Sequence, residues 1–98
     1  MSHVTTHVLD TAAGRPAAGI PVRLLADGVV IAEGTTDVDG RVSNLGPEHL
    51  APGDYRLEFD VATAFLPRVT IDFTIADASH YHVPVLLSPY GFTTYRGS

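Results

Sequence analysis

Apolar and polar residues alternate with a period of two in the middle of the chain. From Tyr55 to Val61 every second residue is apolar, and the residues between them are charged. The segment from Arg68 to Ile75 repeats the alternation. Because successive side chains of a strand point to opposite faces, both segments are predicted to be half-buried strands. Their inward faces comprise Tyr55, Leu57, Phe59, Val61, Val69, Ile71, Phe73 and Ile75.

Turn-forming residues divide the rest of the chain into short extended segments. Asp27-Gly28 and Asp39-Gly40 suit turns with positive φ, and proline sets φ at other turn entries. Only residues 46–51 and 61–65 have a composition that suits a helical turn. Seven or eight short strands joined by such turns predict an all-β antiparallel sandwich with little or no helix. The remaining strand candidates are His3 to Leu9, Pro21 to Leu25, Val29 to Thr35, Arg41 to Ser43, His80 to Leu87 and Phe92 to Arg96.

Length and composition place all of these strands in one domain. The chain has 98 residues, of which 45% are hydrophobic and 17% are charged. This balance of residue types supports a packed core. The length is too small for a second core. We therefore expect residues 1–98 to form a single domain.

The charge pattern argues against two classes of partner, nucleic acids and membranes. The formal net charge is -5, and arginine supplies all six cationic side chains because lysine is absent. Such a chain offers no basic patch for nucleic acid and no polybasic membrane anchor. The sequence also lacks cysteine, a leader-like N-terminus and an apolar run of membrane-spanning length, so we expect a cytoplasmic protein.

Three histidines are the first candidates for chemistry. His80 and His82 lie two apart and share a strand face, whereas the pattern alone leaves the direction of His7 open. Surface or hydrogen-bonded histidines are an equally good interpretation. A three-histidine zinc site is a further alternative, although no carboxylate accompanies the motif.

The other candidates do not form a site by spacing alone. Arg41 follows an Asp-Gly turn, where an arginine is usually solvated but can also bind a carbonyl-rich or anionic ligand. The segment from Ser79 to Ser98 is rich in aromatic residues and includes Tyr95 and Arg96. We expect this segment to pack against another surface rather than fray.

Three blocks of sequence resemble one known family. The C-terminal stretch from His80 to Ser98, which ends in Tyr-Arg-Gly-Ser, is similar to that of the 5-hydroxyisourate hydrolases, the transthyretin-like enzymes of purine catabolism. The opening strand His7-Val-Leu-Asp-Thr11 with Gly14-Arg-Pro-Ala17, and Thr36-Asp-Val-Asp-Gly-Arg41, look like two further blocks of that family. The resemblance extends over nearly the whole chain.

The resemblance implies a transthyretin-type sandwich that opens the cyclic amide-like bond of 5-hydroxyisourate without a cofactor, giving 2-oxo-4-hydroxy-4-carboxy-5-ureidoimidazoline. It further implies a homotetramer with each site in a channel at the dimer-dimer interface. His7 and His82 would activate a water molecule, and Arg41 would stabilise the oxyanion. The implied catalytic residues are His7, Arg41, His82 and Ser98, and the implied substrate-binding residues are His7, Arg41, Tyr95 and Arg96.

Two observations qualify this interpretation. The connection from Asp60 to Pro67 is shorter than the strand and short helix that the family would place there. Several turn motifs also occur in accessory sandwich modules and in transthyretin, a carrier of small ligands, because they belong to the fold. The Tyr-Arg-Gly-Ser ending and the histidines favour the hydrolase over these non-catalytic alternatives.

Overall fold

The computed structural model describes all residues from Met1 to Ser98 and contains nine strands. Eight of them correspond to predicted strands, with ends shifted by one or two residues. The additional strand, β2, lies in a segment for which the sequence predicted no strand. The strands are β1 Val4–Asp10, β2 Arg15–Pro16, β3 Pro21–Ala26, β4 Val29–Thr35, β5 Arg41–Val42, β6 Gly53–Phe59, β7 Val69–Ile75, β8 Tyr81–Ser88 and β9 Gly91–Thr94.

The strands form two sheets that enclose one core, as predicted for a sandwich. The first sheet has the order β2-β1-β8-β9, with β5 also paired to β1, and the second has the order β4-β3-β6-β7. Alternate residues of both sheets point inward, so the core draws Val8 from β1, Leu24 from β3, Phe59 from β6 and Val85 from β8. Burial of these apolar faces is the main force that holds the sheets together.

One pair of strands departs from the antiparallel arrangement. β1 runs parallel to β8, with seven paired residues from Val4↔Tyr81 to Asp10↔Leu87. All other pairs are antiparallel. The parallel pair places both chain ends side by side in the first sheet, so residues from either end can contribute to one surface.

The short connection between β6 and β7 contains neither strand nor helix. Ala62 has a φ of 48°, and its amide donates to the carbonyl of Pro67. Asp60 accepts hydrogen bonds from Arg23 and from Arg68, which together hold the pKa of its carboxyl well below the usual range. Ion pairs with Asp60 therefore hold together the two ends of this connection.

Helices are absent from the fold. Residues 46–51 and 61–65, where the sequence allowed a helical turn, are irregular. No helix that could cross a membrane is present.

Candidate functional site

The outer face of the first sheet gathers most of the predicted chemical groups in one pocket. On β1, Val4 and Val8 enter the core, so Thr5 and His7 point to the outer face. On β8, Tyr81 and Val83 enter the core, which directs His82 to the same outer face. The ring centroids of His7 and His82 are 6.4 Å apart. The direction of His7, which the sequence left open, is thus toward His82.

Arg41 reaches this pocket because of the turn that precedes it. The Asp37 carboxylate accepts hydrogen bonds from the amides of Asp39 (2.9 Å) and Arg41 (3.0 Å). Gly40 adopts a φ of 73°, and a Cβ there would lie 2.3 Å from the carbonyl oxygen of Val8. This close approach lets β5 pair with β1, and the register sets Arg41 directly opposite His7. Cross-strand partners share a sheet face, so both side chains face the pocket.

The C-terminal segment covers one side of the pocket. The amide of Gly97 donates to the carbonyl of His82 at 2.8 Å, and the Thr94 hydroxyl donates to the carbonyl of Pro84 at 2.9 Å. These bonds fold the last residues back over β8. The resulting pocket has a volume of about 500 Å³. Its lining comprises Met1, Thr5, Thr6, His7, Leu9, Arg41, Val42, Ser43, His80, His82, Pro84, Tyr95, Gly97 and Ser98.

Arg96 does not join the pocket within one protomer. Its guanidinium carbon lies 3.9 Å from the ring centroid of Tyr81, and Nη2 donates to the Ser79 hydroxyl (3.0 Å) and to the His80 carbonyl (3.2 Å). The resemblance implied that Arg96 binds substrate at an interface between subunits, and within one protomer its side chain lies outside the pocket. Neighbouring residues of an extended segment point to opposite sides, so Arg96 turns away when Tyr95 and Gly97 line the pocket.

The pocket favours a neutral His82. Burial is the main cause that lowers the pKa of His82 below its ordinary value. The positive charge of Arg41, and then His7 and His80, lower it further. No Asp or Glu side chain lines the pocket, although the chain as a whole is acidic. At neutral pH, His82 therefore carries a lone pair that can accept a proton.

Replacing Arg41 with methionine should raise the pKa of His82 toward its ordinary value. Without the cation the imidazolium form is less disfavoured, so the proton binds at a higher pH, while burial still keeps the pKa depressed. An NMR titration of the His82 ring protons measures the shift. Arg15→Met removes the same charge outside the pocket and should leave the titration unchanged. A pKa that falls or stays constant in Arg41→Met would contradict the electrostatic interpretation.

The three histidines do not form a metal-binding cluster. The rings of His80 and His82 are stacked with centroids 6.5 Å apart, a spacing similar to that between His7 and His82. No group of three or more His, Cys, Asp or Glu residues in the chain is arranged to hold a metal ion. The three-histidine set that the sequence allowed does not converge on one point.

A second open cavity, of about 440 Å³, lies along the other sheet, and three of the charged residues that line it form hydrogen bonds within it. Arg56 Nε donates to Asp72 at 2.7 Å, and the Thr74 hydroxyl donates to Asp54 at 2.8 Å. The cavity has no histidine in its lining. The chemistry is therefore concentrated in the first pocket.

Two residues that form hydrogen bonds beside His82, namely Thr5 and His80, were missing from the predicted site. His80 shares a strand face with His82 in the sequence, but neither it nor Thr5 is among the site residues that the resemblance implies. The Thr5 hydroxyl lies 2.8 Å from His80 Nε2 and 2.8 Å from His82 Nδ1. The spacing of Thr5 and His7, two apart on one strand, was the available signal in the sequence.

Comparisons with known proteins identify close relatives. The model of the HIUase/Transthyretin family matches residues 4–97. A 5-hydroxyisourate hydrolase of Caulobacter vibrioides is 46% identical over an alignment that covers 100% of both chains. The structure of a Klebsiella pneumoniae 5-hydroxyisourate hydrolase has a TM-score of 0.90 and 35% identity, covering 97% of this chain and 98% of that one. Transthyretin from Sparus aurata has a TM-score of 0.86 and 30% identity, covering 99% and 97%.

The alignment with the Caulobacter protein is longer than this chain. It extends over 115 positions, whereas this chain has 98 residues. The relative therefore carries residues that this chain lacks.

Proposed function

Because the chain belongs to the HIUase/transthyretin family, we propose that it hydrolyses 5-hydroxyisourate at the pocket on the outer face of the first sheet. The observation that carries the proposal is the convergence of His7, Arg41 and His82 around one cavity. Relatives matched over their full length are hydrolases of this substrate. A transthyretin-like carrier would call for a mainly apolar pocket, whereas this pocket presents imidazole and guanidinium groups.

A histidine serves as the general base. His82 is neutral at pH 7 because its pKa is lowered, so it can take a proton from water as the water oxygen bonds to the ring carbonyl carbon. His7, which lies on the neighbouring strand β1, orients this water. The C–N bond of the ring then breaks, and the leaving nitrogen receives the proton from the imidazolium. No net proton remains on the protein after one turnover.

Arg41 supplies the electrostatic part of the mechanism. As the water attacks, negative charge develops on the carbonyl oxygen, and a fixed guanidinium fork can donate to it. Tyr95, beside the pocket opening, stacks on the ring of the substrate. Ser98 completes the same wall and supports the orientation of the groups around it. The substrate contact of Arg96 stays a prediction for the assembled protein, and within one protomer its contacts with Tyr81 and Ser79 hold the C-terminal segment.

Residues 1–98 act as one domain that assembles into a homotetramer, with each site at an interface between dimers. β7 and β9 are edge strands of their sheets and offer unpaired backbone groups for strand pairing. Tyr90 (74% exposed) and Tyr95 (56% exposed) are large aromatic side chains left uncovered in one protomer. An assembly would cover this surface and would narrow the open pocket. The cytoplasm is the location that the sequence predicts.

The decay of freshly generated 5-hydroxyisourate in the ultraviolet tests the proposal. The full chain should accelerate the decay, and a variant that ends at Thr94 should not, although its circular dichroism spectrum is retained. Acceleration should persist after exhaustive chelation of metal ions. A folded full-length protein that leaves the spontaneous decay unchanged would overturn the proposal and would favour the carrier.

A further inference from the structure

The Thr5 hydroxyl joins two histidines that lie on the same face of β8. It is 2.8 Å from Nδ1 of His82 and 2.8 Å from Nε2 of His80, and Thr5 is only 7% exposed. The register of β1 and β8 fixes this arrangement, because Thr5 is the backbone partner of His82. Water therefore has little access to the hydroxyl, and its two hydrogen bonds are made within the protein.

The hydroxyl carries one proton, which limits the tautomers of the two rings. Thr5 can donate to only one of the two nitrogens, so the other nitrogen must donate to the Thr5 oxygen. In one arrangement His82 Nδ1 donates to Thr5, and Thr5 donates to His80. In the reverse arrangement His80 donates to Thr5, and Thr5 donates to His82. The two arrangements place opposite groups, a lone pair or an N–H, at His82 Nε2.

The charges around His82 decide between the two arrangements. Arg41 and His7 face it from β5 and β1, Tyr95 and Ser98 lie on the C-terminal side, and His80 lies beyond Thr5. Arg41 is the permanent cation in this set. A neutral imidazole is dipolar, with its negative end at the nitrogen that lacks a proton. The positive potential of Arg41 inside the pocket therefore favours a lone pair, and not an N–H, on the nitrogen directed into the pocket.

We propose that Thr5 and His80 are positioning residues that hold His82 in its Nδ1–H tautomer, with the lone pair of Nε2 directed into the pocket. His82 Nδ1 donates to Thr5 Oγ1, and Thr5 Oγ1 donates to His80 Nε2. His80 then carries its own proton on Nδ1, at the exposed end of the chain of hydrogen bonds. The catalytic importance of this tautomer rests on the proposed function, because only a base at Nε2 needs it. The presence of the tautomer in the protein does not depend on the proposed function.

The tautomer can be measured without any substrate. Long-range ¹H–¹⁵N correlation spectra of the full chain, recorded above the titration range of His82, distinguish a protonated Nδ1 from a protonated Nε2. The wild type should show the Nδ1–H form, and so should Thr5→Ser, which keeps the hydroxyl. Thr5→Val has a similar shape but no hydroxyl, so an Nδ1–H of His82 would lose its acceptor. We expect this loss to outweigh the preference set by Arg41 and to shift His82 to the Nε2–H form. An Nε2–H tautomer in the wild type, or an unchanged spectrum in Thr5→Val, would overturn the proposal.

Kinetics then link the tautomer to turnover. Thr5→Val should lower kcat about 10-fold or more with little change in KM, and Thr5→Ser should restore it, because catalysis needs the correct protonation state of the base. His80→Phe keeps a ring but removes the acceptor, so it should shift the tautomer in the same direction. If the tautomer shifts as expected while the wild type has no hydrolase activity, the proposed function fails and the positioning role of Thr5 stands. If the protein is active but the His82 tautomer is unchanged in the variants, the proposed function stands and the positioning role of Thr5 fails.

Discussion

His82→Asn should lower kcat for 5-hydroxyisourate hydrolysis by about 10²- to 10⁴-fold, the usual contribution of a general base. Asparagine retains a polar group near Thr5 but has no nitrogen that accepts a proton at neutral pH. The ring of His82 is partly exposed at the pocket and contributes little to the core, so the midpoint of urea unfolding should change only slightly. Initial rates of ultraviolet decay at saturating substrate measure the loss.

His49→Asn is the matched control for this variant. His49 is an exposed histidine that does not line the pocket, and its replacement should leave kcat and KM unchanged. If His82→Asn turned over at the wild-type rate, His82 would not be the base, and His7 would take its place in the mechanism. His7→Asn should in that case show the loss of kcat that His82→Asn does not show.

Gly97→Ala should lower kcat/KM by about 10²-fold while hardly affecting stability. A Cβ at this position would lie 2.7 Å from Cδ2 of His82 and 3.2 Å from Cγ of Pro84, so either the ring or the C-terminal segment must move. The hydrogen bond from Gly97 to the His82 carbonyl would be strained or lost. A displacement of about 1 Å at a reacting group can cost this much in rate.

The effect should be separable from unfolding. Chain termini open locally at a small fraction of the global free energy, so we expect the midpoint of thermal unfolding to fall by less than about 4 °C. Gly91→Ala is the control in the same hairpin, because its added Cβ would meet only Ser88 Oγ, at 3.6 Å. Full activity in Gly97→Ala would show that the close contact between Gly97 and His82 has no role in positioning.

The alternation of residue types was sufficient to predict the architecture. Each of β6 and β7 buries one face and exposes the other, so their sequences carry the period of two directly. The tight Asp-Gly turns located the ends of β3, β4 and β5, where positive φ is needed. The helix-like composition of residues 46–51 had no such support. The segment bonds to His3 instead, whose amide donates to Pro47 and whose Nδ1 accepts from Leu50.

Pairing between distant segments could not be predicted from local patterns. Nothing in the sequence of β1 indicates that it lies parallel to β8, because the turns specify only neighbours in the chain. The same limitation applied to Thr5, whose importance depends on being opposite His82 in that register. Local patterns also did not predict that the guanidinium of Arg96 stacks on Tyr81, and its predicted substrate contact stays untested. The roles assigned to His7, Arg41 and His82 remain predictions that the variants above test.

The parallel pairing of β1 with β8 also affects how the chain emerges during synthesis. Thr6 and Val83, which share a hydrogen bond in this pair, are 77 residues apart in sequence. During synthesis, the edge of β1 that pairs with β8 therefore stays unpaired, with apolar side chains beside it, until almost the entire chain has been made. Long-range parallel contacts form slowly, and waiting strand edges are prone to intermolecular association. The strand that carries His7 is thus also the part of the molecule for which rapid dilution or chaperone binding would matter most.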